Sequence, residues 1–298
     1  MYQAPRNDIF ALRADVAQLV EQRFRKPQVT GSNPVVGSIH EMSATFDHAV
    51  SIIVPTLNEE GNIAPLVSQI LASAVPFREI LFVDDCSTDA TRDMIRALAS
   101  TYPIRLIEQD ATKVGLAAAI MSGARAAQGE ILLVMDADLS HPPERIKDLL
   151  TPLFAGTADI VIGSRYVTGG STPGWPLWRL LLSRAASMLA YPLTGVRDSM
   201  GGFFAIPRTR LLALAPPTSG FKIVFETIVR GNGALRVCEI PIVFRDRVWG
   251  KSKMSLDVAL RFSLRWLHAM LRHLVCGRSG PAQGVSSTIS KAPMDPDF

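Results

Sequence analysis

Five short runs of branched apolar residues recur along this chain: AVSIIVP, EILFVDD, IRLIEQ, GEILLVMDAD and ADIVIGS. Between them lie stretches with helical periodicity, NEEGNIAPLVSQILAS, DATRDMIRALAS, GLAAAIMSGARAAQ and PPERIKDLLTPLFA. Strands that are almost continuously apolar are strands covered on both faces. Their regular alternation with helices specifies an α/β fold with a mostly parallel sheet and helices on either side. With 298 residues, 48% of them hydrophobic, the chain has ample material for such a core.

Sheets of this kind gather their ligand-binding loops at the carboxyl ends of the strands. Polar residues cluster at those ends: Asn58 and Glu59 after the first run, Asp84 and Asp85 after the second, Asp136 and Asp138 after the fourth, Ser164 and Arg165 after the fifth. The first loop, VPTLNEEGN, lacks the GxGxxG of dinucleotide-binding folds, which weighs against an NAD-dependent oxidoreductase. Asn58 and Glu59 are either helix caps or ligand contacts. Ser87, Thr88 and Asp89 admit the same two readings, and Asp85 is either a helix-terminus carboxylate or an acceptor for a ribose or base.

MDADLSHPPE is more specific. If Asp136 and Asp138 continue an extended strand, positions i and i+2 share a side and the two carboxylates converge. Two hard oxygen ligands suit Mg²⁺ or Mn²⁺, which completes its shell with phosphate oxygens and water. The plainer alternative is a pair of solvated aspartates in a turn. Pro142 and Pro143 stand where a helix begins, and His141 is expected to alternate away from the pair.

Charge is unevenly spread. From 245 to 278 there are eight Lys/Arg against two Asp, a net +6, which leaves −2 of the overall +4 for the rest of the chain. That points to an anionic partner such as a phosphate or a membrane surface; no nucleic-acid partner is expected. Three scattered cysteines, Cys86, Cys238 and Cys276, match no metal-ligand spacing and fit a reducing cytoplasm. No uncharged apolar stretch reaches the ~18 residues of a membrane span, because Arg179 and Arg184 interrupt the Trp- and Leu-rich segment 175–193. After Gly170 the alternation gives way to that segment, DSMGGFFAIPR, a helix over 221–229, and two strands, ALRVCEIP and IVFRDR. A last helix over 255–277 carries Arg261, Arg265, His268 and Arg272 on one face beside a stripe of leucines. It reads as an interfacial helix or as one packed on the core. Residues 1–41 are expected to be a disordered or mis-called extension, residues 42–254 the folded domain, and 278–298 a disordered tail.

In this order, SIIVPTLNEEGNI, FVDDCSTDAT, MDADLSHPPE, GSRYVTGG, DSMGGFFAI, GFKIVFE and RVWGKSKM resemble the motifs of glycosyltransferase family 2, and more narrowly of its polyprenyl-phosphate sugar transferases. The resemblance implies a GT-A fold, a nucleotide-sugar donor, a divalent cation and a lipid-phosphate acceptor, with peripheral attachment to the cytoplasmic face of a membrane. The leading assignment is mannose from GDP-mannose to a dolichyl-type phosphate, with inversion. The alternatives are glucose from UDP-glucose to undecaprenyl phosphate, or a catalytically silent subunit that binds nucleotide sugar. Carried over by motif, Pro55, Asn58, Glu59 and Asp85 hold the donor's nucleoside, while Asp136 and Asp138 hold the cation. Family members often place Gln as a further ligand where this chain has Ser140, whose hydroxyl or a water is the alternative third ligand. Arg165, Arg179 and Ser183 are implied at the acceptor phosphate, with Arg247, Lys251 and Lys253 closing over the phosphates, and Asp198 near the donor sugar.

Overall fold

The computed structural model describes residues 49–110, 115–214 and 222–246. Three of the implied phosphate-binding residues, Arg247, Lys251 and Lys253, lie outside them, as do the extension at 1–41, the helix expected over 255–277 and the tail.

Seven strands form one sheet. In chain order the elements are β1 (Val50–Thr56), α1 (Glu60–Ala72), β2 (Glu79–Asp84), α2 (Thr91–Ala99), β3 (Ile104–Glu108), α3 (Leu116–Ala126) and β4 (Ile131–Val134). There follow a 3₁₀ turn (Pro143–Arg145), α4 (Ile146–Phe154), β5 (Ile160–Ser164), α5 (Leu177–Thr194), β6 (Phe204–Pro207), α6 (Arg208–Leu214), α7 (Ile223–Arg230) and β7 (Val237–Pro241). The strands are ordered β3-β2-β1-β4-β6-β5-β7. All run parallel except β6, which is antiparallel to both its neighbours.

The period of two along each strand divides the core between the two faces. Ile52, Ile80, Phe82 and Leu133 pack with Ile63, Leu66, Ile70, Ile95, Ile146 and Leu149 of α1, α2 and α4. Their neighbours Ile53, Leu81, Val83, Leu132 and Val134 pack on the other face with residues of α3, α6 and α7. α3 lies close to the sheet because Gly123 faces it. A Cβ there would stand 2.8 Å from Ile53 Cγ2 and 3.1 Å from a Val83 methyl.

α5 is different. Of its 18 residues only Ser187, Ala190, Leu193 and Thr194 are buried. Leu177, Trp178, Leu181, Leu182, Met188, Leu189 and Tyr191 are all at least half exposed. The helix stops at Gly195, whose φ of 67° suits glycine and whose N–H caps the Tyr191 carbonyl.

Two details depart from the sequence expectation. FAIP of DSMGGFFAIPR is a strand, β6, inserted between β4 and β5. The run IVFRDR supplies only an isolated bridge between Val243 and Ser171 rather than a strand. The reversal of β6 has a consequence for the site: its start, not its end, lies at the edge where β4 and β5 terminate, so the preceding loop 198–202 is delivered there.

Candidate active site

The first two loops of this edge bind each other. Asn58 has the left-handed backbone (φ 56°) that asparagine tolerates. Its N–H donates to Ser87 Oγ at 2.9 Å, and its Oδ1 accepts from the Thr88 N–H at 2.8 Å. The N–H groups of Glu59 and Glu60 donate to Thr91 Oγ1 (2.8 Å) and Asp89 Oδ2 (3.3 Å), while Glu60 Oε2 accepts from the Ala90 N–H at 2.9 Å. Neither α1 nor α2 is capped by its own N-cap side chain; the two helices cap each other instead, satisfying donors every helix start must satisfy. Burial works against the charge of Asp89, but bonds from Thr91 and Glu60 hold its carboxyl below its ordinary value.

Asp84, 1% exposed, accepts from the Ser87 N–H at 2.9 Å and pairs with Arg92 Nε at 3.3 Å through Oδ2, while its buried Oδ1 has no hydrogen-bond partner. Asp85 accepts through both oxygens from the N–H of Gly115, at 3.1 and 3.0 Å. That bond joins the second loop to the start of α3. Pro55, still within β1, is half-buried below these loops.

The aspartate pair is not arranged as an extended strand would arrange it. β4 ends at Val134, one further ladder bond joins Met135 N–H to Ile53 O, and the chain then turns, with Leu139 in the left-handed region (φ 63°). Asp138 is 3% exposed, and its Oδ1 accepts from the Ser140 N–H (3.1 Å) and Ser140 Oγ (2.6 Å). Ser140 thus orients Asp138. Asp136 stays half-exposed, and His141 does not alternate away from it. The His141 ring is buried, its Nδ1 accepts from the Asp136 N–H at 2.9 Å, and Nε2 lies 3.8 Å from Asp136 Oδ2. Because Nδ1 is the acceptor, the neutral ring carries its proton on Nε2, the edge nearer that carboxylate. Phe203 stacks on the ring at 5.1 Å and Phe244 meets it edge-on at 5.5 Å, which fixes its plane.

Loop 198–202 touches both halves of the site. At one end Asp198, fully buried, binds Arg165 three times. It accepts from the backbone N–H at 2.9 Å, from Nε at 2.8 Å and from Nη2 at 2.7 Å. Burial opposes the charge of Arg165, yet these bonds and the Asp198 carboxylate raise the guanidinium above its ordinary value. At the other end a Cβ on Gly202 would stand 3.2 and 3.3 Å from the two carboxylate oxygens of Asp136 and 3.4 Å from His141 Cε1. In between, Lys222 Nζ donates to the Met200 carbonyl at 3.3 Å. Burial, then the nearby Arg165 charge, lowers its pKa to about 8, while Asp136 and Asp198 act the other way.

The residues implied at the acceptor phosphate meet around two aromatic rings. The Arg165 guanidinium lies 5.1 Å from the Tyr166 ring centre and 5.6 Å from that of Trp175, and Arg179 lies 4.0 Å over Trp175. Ser183 Oγ is 2.6 Å from the Tyr166 hydroxyl. The paired Nε and Nη2 edge of Arg165 is already engaged by Asp198, and Arg179 also pairs with Asp246 at 3.0 Å. Three residues at this edge carry no role by motif: His141, Lys222 and, behind Asp198, Glu239. Lys222 stands within the quoted GFKIVFE. Glu239 shows in sequence only as a single charge inside the apolar run VCEIP.

Together, the doubly covered parallel sheet with one reversed strand, and the carboxylate-bearing loops at its edge, define a GT-A glycosyltransferase fold. The family model for "Glycosyl transferase family 2" matches residues 51–224. Relatives in the same family are 35–37% identical: the dolichol-phosphate mannosyltransferases of Pyrococcus furiosus (37% over 75% of this chain), Mycosarcoma maydis (36% over 74%) and Saccharomyces cerevisiae (35% over 71%). The matched region spans 64% of the first relative's length, 78% of the second's and 83% of the third's. The chain belongs to glycosyltransferase family 2. Among solved structures, glucosyl-3-phosphoglycerate synthase from Mycobacterium tuberculosis bound to Mn²⁺, UDP and glucosyl-3-phosphoglycerate superposes with a TM-score of 0.59 at 21% identity, covering 86% of this chain and 88% of the other. The complex of that enzyme with Mn²⁺, UDP-glucose and phosphoglyceric acid gives the same score and coverage.

Proposed function

We propose that this glycosyltransferase moves a hexose, mannose from GDP-mannose, to the phosphate of a polyprenyl lipid of the dolichyl type, inverting the anomeric centre. The observation that carries the assignment is the 35–37% identity to three dolichol-phosphate mannosyltransferases, over about three quarters of the chain. In this reading Pro55, Asn58, Glu59 and Asp85 border the nucleoside, and the cross-tied first two loops give that pocket a fixed wall. A lipid phosphate is already an anion, so its attack on the anomeric carbon needs no general base. The rate then depends on holding the reactants in line and on cationic groups at the diphosphate that leaves.

The carboxylates fit a divalent cation. Asp136 and Asp138 are hard donors one residue apart, and Asp138 is held in one orientation by Ser140. Among the described residues no cluster of three or more His, Cys, Asp or Glu forms a closed metal cage. A two-carboxylate site suits Mg²⁺ or Mn²⁺, which keep room for phosphate oxygens and water. When bound, the cation supplies charge neutralisation of the diphosphate. Arg179, Ser183 and the face of Arg165 turned away from Asp198 are assigned to the acceptor phosphate, an anion that Arg suits by geometry.

A lipid acceptor requires access from a membrane surface. No described helix is long and apolar enough to cross a bilayer. The exposed face of α5, with Trp178, Leu181, Leu182 and Met188 beside Arg184, supports peripheral seating on a membrane surface. The test is a donor and acceptor matrix: purified protein with GDP-mannose or UDP-glucose, and polyprenyl phosphate or the matching polyprenol. The proposal predicts a mannosyl lipid from GDP-mannose and the phosphate only, with the anomer inverted. Preference for UDP-glucose, or equal transfer to the alcohol, refutes it.

A further inference from the structure

Glu239 occupies the middle of β7, opposite Ile162 of β5 in the parallel ladder, where neighbouring residues are apolar. Its carboxylate spans two successive backbone donors: Arg197 N–H meets Oε2 and Asp198 N–H meets Oε1, each at 3.0 Å. The Ser164 hydroxyl adds a third bond. Two consecutive N–H groups held by one carboxylate leave the intervening peptide little rotational freedom. That peptide leads into Asp198, whose own carboxylate makes the three bonds to Arg165.

We propose that Glu239 is a positioning residue for sugar transfer: by clamping the 197–198 peptide it aims Asp198, and through Asp198 it fixes where Arg165 presents its charge to the reacting groups. The inference rests on the proposed transferase reading. Two further observations support it. Glu239 is half-buried, and burial first, then repulsion from Asp198, pushes its carboxyl above the ordinary value, while the bonds from Arg197, Ser164 and Asp198 pull the other way. Keeping two carboxylates so close has an electrostatic cost that packing alone does not require, since an apolar residue would fill β7 as well. The 198–202 loop also ends against Asp136, so an error at its first residue reaches the cation ligand at its last.

The test compares E239Q and E239D with the wild type. In E239Q one of the two acceptors becomes an NH₂ group facing a backbone N–H, so the clamp opens with little change in volume. E239D keeps the charge but shortens the reach to one donor. With folding checked by circular dichroism and melting temperature, E239Q is predicted to lose kcat by ~10- to 100-fold, the scale for misplaced reacting groups. The KM for the nucleotide sugar should stay within about threefold, and E239D should recover part of the rate. The assay uses whichever nucleotide sugar the wild type turns over, so a wrong donor assignment and a wrong role for Glu239 fail separately. Wild-type kcat in E239Q overturns the proposal. So does a rate loss matched by lost melting temperature and not relieved in E239D.

Discussion

Removing the Asp198 carboxylate should expose how the site is held together. In D198A the Arg165 guanidinium, only 9% exposed, loses two hydrogen bonds and its ion-pair partner Asp198, and the Arg165 backbone N–H loses a third bond. Breaking a buried pair by deleting one member costs ~3–5 kcal/mol, because the remaining charge is uncompensated. Against a typical total of roughly 5–15 kcal/mol, that is a large share of stability. At about 2–4 °C per kcal/mol for a domain of this order of size, the melting temperature should fall by roughly 6–20 °C. R165M should be comparably destabilised, since it strands a fully buried carboxylate. The double variant R165M/D198A removes both charges and should recover most of the loss, giving a coupling of at least ~2 kcal/mol in a urea-denaturation cycle. A D198A loss under about 1 kcal/mol, or strict additivity in the cycle, would refute the claim that this pair is a desolvated, mutually dependent unit.

Three other perturbations test separate parts of the account. G202A places a methyl group against both oxygens of Asp136 and the His141 ring; transfer should drop ~10- to 100-fold, with a raised requirement for added cation in a titration. Asp159 is held below its ordinary value of 3.8, chiefly by Arg236, whose bonds outweigh burial. Its contribution to stability is complete above that value and is lost as pH falls through the lowered folded value. D159N should therefore flatten the loss of stability below about pH 4, measured by denaturant midpoints across acid pH. On α5, L181E/L182E should abolish co-sedimentation with anionic vesicles while leaving the melting temperature within a few degrees, because both side chains are more than half exposed.

The parallel sheet was legible because β1, β2, β4 and β5 are almost continuously apolar, the mark of strands buried on both faces. β6 was not. It has four residues, Phe204–Pro207, and its partners β4 and β5 precede it by some forty residues or more, so no local alternation marks it. The aspartate pair was recognisable from its spacing, but its geometry was not: the strand stops at Val134, and the left-handed Leu139 turns Asp138 onto Ser140. His141 was misjudged for the same reason, since extended alternation no longer applies. The cross-capping of α1 and α2 joins residues 29 to 32 positions apart, which a local capping pattern does not reveal. Glu239 acquires meaning only when β7 is seen beside β5.

Cation-dependent transfer to the lipid tests the central claim most directly. Purified protein is incubated with labelled GDP-mannose and a polyprenyl phosphate, before and after EDTA treatment, and again after Mn²⁺ or Mg²⁺ is restored. The account predicts labelled lipid in the first and last conditions and none in EDTA, with D138A silent throughout. Equal product in EDTA, or undiminished transfer by D138A, would contradict it.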